Sequence, residues 1–385
     1  MDVVFTPEQN VFREEIRAWL VDHVPRERLA SLDTAEGFEQ HRAWEHTLHK
    51  DNWGMVTWPV EYGGRGCDLI DWLIFEEEYY RADAPARVSQ NGIFLLGPTI
   101  MEYGTDAQKQ RFLPPMAAGE EIWSQAWSEP GAGSDLAAIR SKAVRDGDHY
   151  VISGQKTWSS RAVFADWCFG LFRTDPESNR HHGLSKILVP LDSPGLTVRP
   201  IAQLDGDPGF AELFFDEVRV PVENLLGPEN GGWGVAMATA GFERGLLLRS
   251  PARFQAAAKR LVKLYKTHAN SLSPGLREQV IQAWMDAEKF TAATFALVAK
   301  VNAGASISSE ASANKIFWSE MDRAMHRTAM TIMGAQAELE NGLDAIDDGR
   351  WLDGYMFSLA GPIYAGTNEI QRNILAERVL GLPRK

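Results

Sequence analysis

Apolar positions change their spacing twice along the chain, and the two changes divide it into three stretches. Thr6-Pro7-Glu8-Gln9 reads as a helix start, with Thr6 as cap, Pro7 in the first turn and Gln9 completing a capping box. Behind it Phe12, Ile16, Trp19 and Leu20 fall on one face at helical spacing. A second amphipathic run covers 37–50, the Gly-rich stretch 58–66 reads as a connector, and helical patterns resume over 71–81, 92–103 and 106–112. From 119 the period shortens. The runs 149–156, 167–172, 184–189, 196–201 and 211–220 are β-prone and bounded by Gly, Pro and Asp, which predicts an antiparallel sheet or small barrel. Helical spacing returns over 235–268, 274–302, 308–333 and 368–379, broken at Gly304, Gly334, Gly342 and Gly361. Four long helices with short breaks predict an antiparallel bundle. The class is α+β, with a helical domain over 1–118, a β domain over 119–228 and a helical bundle over 229–385.

Composition narrows the partners. A net charge of −13 excludes unaided binding to nucleic acid or to an anionic membrane, both of which need basic patches. No apolar run is long enough to span a bilayer. Cys67 and Cys168 match no metal or redox spacing, and charged Arg13, Glu14 and Glu15 interrupt any leader pattern, so the expected location is cytoplasmic. His46 and His49 share a helical face and His181-His182 sit in a polar loop, but neither pair has a third ligand at metal-binding spacing, so no metal is expected. The acidic cluster 344–348 reads as a solvated turn. Thirteen tryptophans suit a planar ligand and a dense core equally well.

Four motifs carry candidate chemistry. Ser128-Glu129-Pro130-Gly131-Ala132-Gly133-Ser134-Asp135 could hold a phosphate on backbone N–H groups and the Ser134 hydroxyl, although a plain tight turn has the same composition. It is not the three-glycine dinucleotide fingerprint, and no βαβ unit surrounds it. Lys156-Thr157-Trp158-Ser159-Ser160 ends a strand with an aromatic ring and two hydroxyls, suited to a heteroaromatic ring or to a buried corner. Gly241-Phe242-Glu243-Arg244-Gly245 sets a carboxylate beside a guanidinium early in the bundle. Tyr364-Ala365-Gly366-Thr367-Asn368-Glu369-Ile370-Gln371 is a glycine turn that opens a helix.

Together these segments resemble the acyl-CoA dehydrogenase family over nearly the whole chain. The stretch from Ala126 to Asp135 looks like its first signature, with Tyr103-Gly104-Thr105 and Phe112-Leu113-Pro114 upstream. Gly154 to Ser160 looks like its tryptophan segment, and Tyr364 to Arg372 like its C-terminal signature. The resemblance implies an FAD enzyme with an N-terminal helical domain, a middle β domain and a C-terminal four-helix bundle. Carried over by position, Trp127 and Ser128 border the flavin ring and Ser134 the pyrophosphate. Trp158 and Ser160 line the ring's other edge, and Gly366, Thr367 and Glu369 form the cradle for the phosphate and adenosine end.

The same resemblance implies α,β-dehydrogenation of an acyl-CoA to a trans-2-enoyl-CoA, with electrons leaving to an electron-transfer flavoprotein. Many members carry the base immediately before the Gly-Thr of the C-terminal signature, where this chain has Ala365. A smaller set, similar to isovaleryl-CoA and long-chain enzymes, uses a glutamate before an arginine early in the bundle. Glu243-Arg244 matches, so Glu243 is expected to be the base and Arg244 its tuning partner. Pro251 is expected to kink that helix. The Arg and Phe that reach a neighbour's FAD are missing from 265–277, the glycine-rich contact is reduced to Gly334-Ala335-Gln336-Ala337, and Arg161 stands where glycine is common. Such losses resemble bacterial α2β2 enzymes acting on bulky steroid-derived or branched thioesters. The expected assembly is therefore a homo-oligomer or an α2β2 complex with a paralogous subunit. A non-catalytic partner subunit and a related flavin oxidase or monooxygenase are the competing readings.

Overall fold

The structure is a computed structural model that describes residues 4–244, 250–269, 273–305 and 310–383; the side chains of Glu243 and Arg244 lie outside the described part. The chain forms two compact units that interleave in sequence. One comprises residues 1–24, 68–84 and 244–385, the other 25–67 and 85–243.

The first unit is helical. It holds α1 (Pro7–His23), α3 (Leu69–Arg81), α7 (Pro251–His268), α8 (Pro274–Asn302), α9 (Glu310–Met333), α10 (Arg350–Ser358) and α11 (Asn368–Ile374). Thr6 caps α1 in the expected box: its hydroxyl accepts from the Gln9 N–H while the Gln9 side chain accepts from the Thr6 N–H. Phe254, Leu261, Phe290, Trp318, Met325 and Trp351 build the core in which α7, α8 and α9 meet. The interleaving has a physical cause. α3 packs against α1, α7 and α8, so two N-terminal helices join the C-terminal ones. Buried Glu78 on α3 takes Arg13 at 2.8 Å and Arg17 at 2.9 Å, which holds its carboxyl below the usual range although burial alone would raise it.

The second unit is built on a sheet of β1 (Trp123–Ala126), β2 (Lys142–Asp146), β3 (His149–Ser160), β4 (Trp167–Arg173), β5 (Leu184–Pro190), β6 (Leu196–Ile201), β7 (Phe210–Pro221) and β8 (Leu225–Leu226). Their order is β6-β7-β3-β2-β4-β5-β8, with β1 paired to β4. Most pairs are antiparallel, as expected, but β1–β4 and β2–β4 are parallel. Tyr150, Ile152, Phe172, Ile187, Val189, Leu213 and Val218 form the sheet's apolar core. Helices α2 (Ala35–Lys50), α4 (Gly97–Tyr103), α5 (Asp106–Ala118) and α6 (Gly232–Arg244) belong to this unit.

Three helix boundaries differ from expectation. The run 235–268 is two helices: Ser250 is non-helical and caps α7 through the Ala252 N–H, and Pro251 occupies the first turn. Pro251 therefore starts a helix and does not kink the one that carries Glu243. α5 continues through Pro114 and Pro115 and ends at left-handed Gly119. The run 92–103 is a π-helical segment, Asn91–Leu96, leading into α4. In the acidic turn, Asp347 lies 3.9 Å from Arg260. No described helix is long and apolar enough to cross a membrane.

Candidate active site

Five of the expected cofactor residues lie in the sheet unit, and the structure joins their two segments. Residue Thr157 donates its N–H to the Ser128 carbonyl at 2.9 Å, linking the tryptophan segment on β3 to the glycine loop after β1. Beneath this junction lies Lys156, fully buried, donating to the Trp127 carbonyl at 3.1 Å, the Leu171 carbonyl at 2.7 Å and the Glu129 carboxylate at 2.9 Å. Glu129 also receives the N–H groups of Arg140 at 2.7 Å and Ser141 at 2.8 Å. Burial pushes the lysine down to about 8, against the raising effect of Glu129. Burial would raise the Glu129 carboxyl, but the Lys156 charge and these hydrogen bonds outweigh it and hold it low. Sequence reasoning missed both residues as a pair, because 27 positions separate them. Their common place within two motifs is the signal that was there to use.

Trp158 is unusual in two ways. The β3–β7 register slips between Lys156 and Ser159, and in that bulge Trp158 has φ of 60°, a left-handed conformation strained for an L residue. The residue is 61% exposed, although tryptophan ordinarily buries most of its surface. Strained backbone that presents an indole to solvent suits a planar ligand. Ser160 follows, half-buried, with its carbonyl accepting the Ser124 hydroxyl at 2.8 Å. Arg161 explains why glycine is frequent at its position, since its φ is 52°. Its guanidinium pairs with Asp33 at 2.7 Å, so its charge is matched within the unit.

The glycine loop is open. Gly131 and Gly133 have nothing within 4 Å of a built Cβ, and Ser134 is exposed. Buried Trp127 has an indole N–H without a hydrogen-bond partner among the described residues, and so does the Ser159 hydroxyl. An exposed indole, an open backbone cradle and orphaned polar atoms fit a flavin with its pyrophosphate.

The remaining cofactor candidates lie in the helical unit. Ala365 at φ 56° and Gly366 at φ 77° are consecutive left-handed residues that turn the chain into α11. Buried Gln371 donates to the carbonyls of Ala365 at 3.0 Å and Gly366 at 3.3 Å. The Thr367 hydroxyl caps α11 by accepting the Ile370 N–H at 3.2 Å. Glu369 is exposed, and its own backbone N–H and the Thr367 hydroxyl lower its carboxyl. Asn368, buried, accepts from Lys315 at 2.8 Å and Ser319 at 3.2 Å and donates to Glu320 at 3.0 Å. This junction fixes the turn, and sequence reading quoted Asn368 without giving it a role.

Glu243 and Arg244 close α6, whose backbone is described to Arg244. Among the described residues, no group of three His, Cys, Asp or Glu is placed to hold a metal.

Comparison with known proteins accounts for this arrangement. The chain matches the family models of the acyl-CoA dehydrogenase N-terminal domain over residues 6–120, middle domain over 124–218 and C-terminal domain over 230–380. It is 41% identical to acyl-CoA dehydrogenase IpdE1 of Mycolicibacterium smegmatis, covering 98% of this chain and 99% of that one. It is 35% identical to acyl-CoA dehydrogenase FadE26 of Mycobacterium tuberculosis, covering 100% and 99%. Among solved structures, the Mycobacterium tuberculosis ChsE4-ChsE5 complex aligns with a TM-score of 0.86 at 34% identity, covering both chains in full. The Tcur3481-Tcur3483 steroid ACAD aligns at 0.89 and 29% identity, again over 100% of each chain. An oxidoreductase acting on CH–CH bonds with FAD as its cofactor is what these matches and the open, strained flavin-type cradle describe: the chain belongs to the acyl-CoA dehydrogenase family.

Proposed function

We propose that this protein oxidises the Cα–Cβ bond of a bulky, ring-bearing acyl-CoA to the trans-2-enoyl-CoA, with Glu243 as the base for the α-proton. The observation that carries the base assignment is the pair of alternatives in the chain. Ala365, before Gly366-Thr367, has no ionisable group, whereas α6 ends in Glu243-Arg244. Bound FAD supplies the hydride acceptor. The protein's part is to hold the thioester with its α-hydrogen toward the Glu243 carboxylate, keep water out and take up the proton. Hydrogen bonds to the thioester carbonyl stabilise the enolate-like charge that develops as the proton leaves. Trp127, Ser128, Trp158 and Ser160 hold the flavin ring, Ser134 the pyrophosphate, and Gly366, Thr367 and Glu369 the phosphate and adenosine end.

The substrate class rests on the kinship with a protein named as a steroid ACAD, matched over the whole of both chains. The ChsE4-ChsE5 structure is a complex of two different chains, which supports an α2β2 assembly with a paralogous partner. The reduced segment Gly334-Ala335-Gln336-Ala337, a 3-10 turn here, favours the same arrangement, because a partner chain can supply what this one lacks. Electrons leave to an electron-transfer flavoprotein, and the reaction takes place in the cytoplasm. Replacing Glu243 with Gln tests the assignment: FAD stays bound, while anaerobic bleaching of the flavin by thioester is lost. Bleaching at the wild-type rate would refute it.

A further inference from the structure

Lys186 lies on β5, in the run Leu184-Ser185-Lys186-Ile187-Leu188-Val189, where both faces of the strand are buried. Ile187 and Val189 join the sheet's apolar core, and Lys186 points to the other face with its side chain wholly enclosed. Its amine sits 4.9 Å from the Phe169 ring centre and 5.5 Å from that of Trp127. Burial pushes that amine well below the ordinary lysine range. Its hydrogen bond is to the hydroxyl of Thr239 on α6, at 2.6 Å.

Thr239 is itself the middle of a chain. Its oxygen lies 2.8 Å from the Thr99 hydroxyl on α4, and its own O–H donates to the Val235 carbonyl one turn back at 2.9 Å. The Thr99 hydroxyl also lies 2.7 Å from the Leu95 carbonyl one turn back, so the two threonine protons serve three contacts between them. The Thr239 oxygen accepts from Lys186 in every arrangement, and when the two threonines are joined one of them leaves its own carbonyl. Thr99 and Thr239 are fully buried, so none of these groups exchanges its partner for water. The chain ties a strand, the α6 helix and α4 together at one atom.

The tie falls at a telling place on α6. Val235, Ala236, Thr239 and Ala240 form the buried stripe of the helix, and small side chains dominate it. Small apolar residues give little axial registration, since they have no long knob to lodge in a groove. Gly241, with open space around it, then weakens the last turn. Thr239 is the last polar anchor before that turn, and Glu243 follows four residues later, one helical turn on.

We propose that Lys186 and Thr239, braced by Thr99, are positioning residues for Glu243: their buried hydrogen-bond chain sets the axial place of α6 and so the place of the base relative to the substrate's α-carbon. This rests on Glu243 being the base. Lys186 touches no reacting atom and acts through the helix. A base displaced by an ångström loses a large part of its rate while substrate binding is retained.

The test separates the two claims. The probe is (methylthio)acetyl-CoA, whose sulfur at position 3 leaves no β-hydride to lose but keeps the α-protons removable. The holoenzyme, with its partner chain if it has one, is incubated anaerobically in D2O, and α-deuterium uptake is followed by mass spectrometry. Lys186→Met and Thr239→Val are expected to slow exchange about 10–100-fold at unchanged FAD content and unchanged half-saturation for the probe. Thr239→Ser, which keeps the hydroxyl, is expected to exchange within about threefold of wild type, and the double variant Lys186→Met/Thr239→Val no slower than either single one. Thr239→Val conserves volume and carries the test if Lys186→Met fails to fold. Exchange at the wild-type rate in both variants, with none in Glu243→Gln, overturns the positioning role and leaves the base standing. Undiminished exchange in Glu243→Gln overturns the base, and the positioning role with it.

Discussion

The Lys156 amine lies 2.9 Å from the Glu129 carboxylate, and the two residues belong to the two segments expected to face the flavin. The pair is therefore the rivet between the glycine loop and the Trp158 bulge. Removing the lysine leaves a carboxylate that is only about a tenth exposed, without its countercharge and held by hydrogen bonds from Arg140 and Ser141. Breaking a buried pair from one side costs roughly 3 kcal/mol. Lys156→Met is expected to lower the melting temperature and to lose FAD during gel filtration, both measurable on one purified sample. Full FAD retention would show that the rivet does not organise the site.

The same pair fixes the acid limit of stability. Glu129 has its folded carboxyl below the unfolded value of 4.5, so its contribution is complete above that value and is lost as pH falls through the folded one. In Lys156→Met the burial that raises the carboxyl is no longer opposed by the lysine. The stability that wild type holds over the variant is then expected to be largest above pH 4.5 and to narrow as pH falls below it, because the variant has less or nothing to lose when Glu129 is protonated. A difference in melting temperature that stays constant into acid would contradict this.

Trp158 is expected to separate cofactor binding from stability. Its ring is exposed and its backbone strained, so Trp158→Ala removes little packing, and stability should change by no more than roughly 1 kcal/mol. Losing a stacked aromatic is worth about 1 kcal/mol or more in ligand affinity, about fivefold or more. The ratio of flavin to protein absorbance after dilution measures this. A variant that melts far lower but holds FAD as wild type would assign Trp158 to the fold instead.

Asn368 offers the corresponding experiment in the helical unit. Its side chain makes three hydrogen bonds while 1% exposed, two of them with charged partners. Asn368→Ala is expected to cost about 2–4 kcal/mol by chemical denaturation. A loss under about 0.5 kcal/mol would mean that the turn before α11 is held by Gln371 and the Thr367 cap without the Asn368 side chain.

The sequence made some of this legible and hid the rest for identifiable reasons. The Thr6 box, the bounds of α8 and the strand 196–201 could be read because caps, Pro at a helix start and turn residues act locally. β2 was missed because Ala143 is its one buried residue, which leaves no alternation to see. β1 is only four residues long and ends where the first signature begins, and the continuation of α5 past Pro114 depends on tertiary packing. The motif residues Trp127, Ser134, Trp158 and Thr367 could be found from the resemblance. Their supports could not. Arg161 meets Asp33 across 128 positions and Lys186 meets Thr239 across 53, and a lysine in a β-prone run ordinarily faces water. Burial of both faces of β5 is a property of the folded unit.

The central claim is that an FAD held by these segments oxidises a bulky acyl thioester. Its most direct test is the anaerobic visible spectrum of the holoenzyme, before and after a panel of straight-chain, branched and steroid-derived acyl-CoAs. The account predicts yellow protein whose flavin absorbance bleaches with the ring-bearing thioesters, and faster with them than with straight chains. Flavin that no thioester bleaches would contradict it and leave the chain a partner subunit without chemistry of its own.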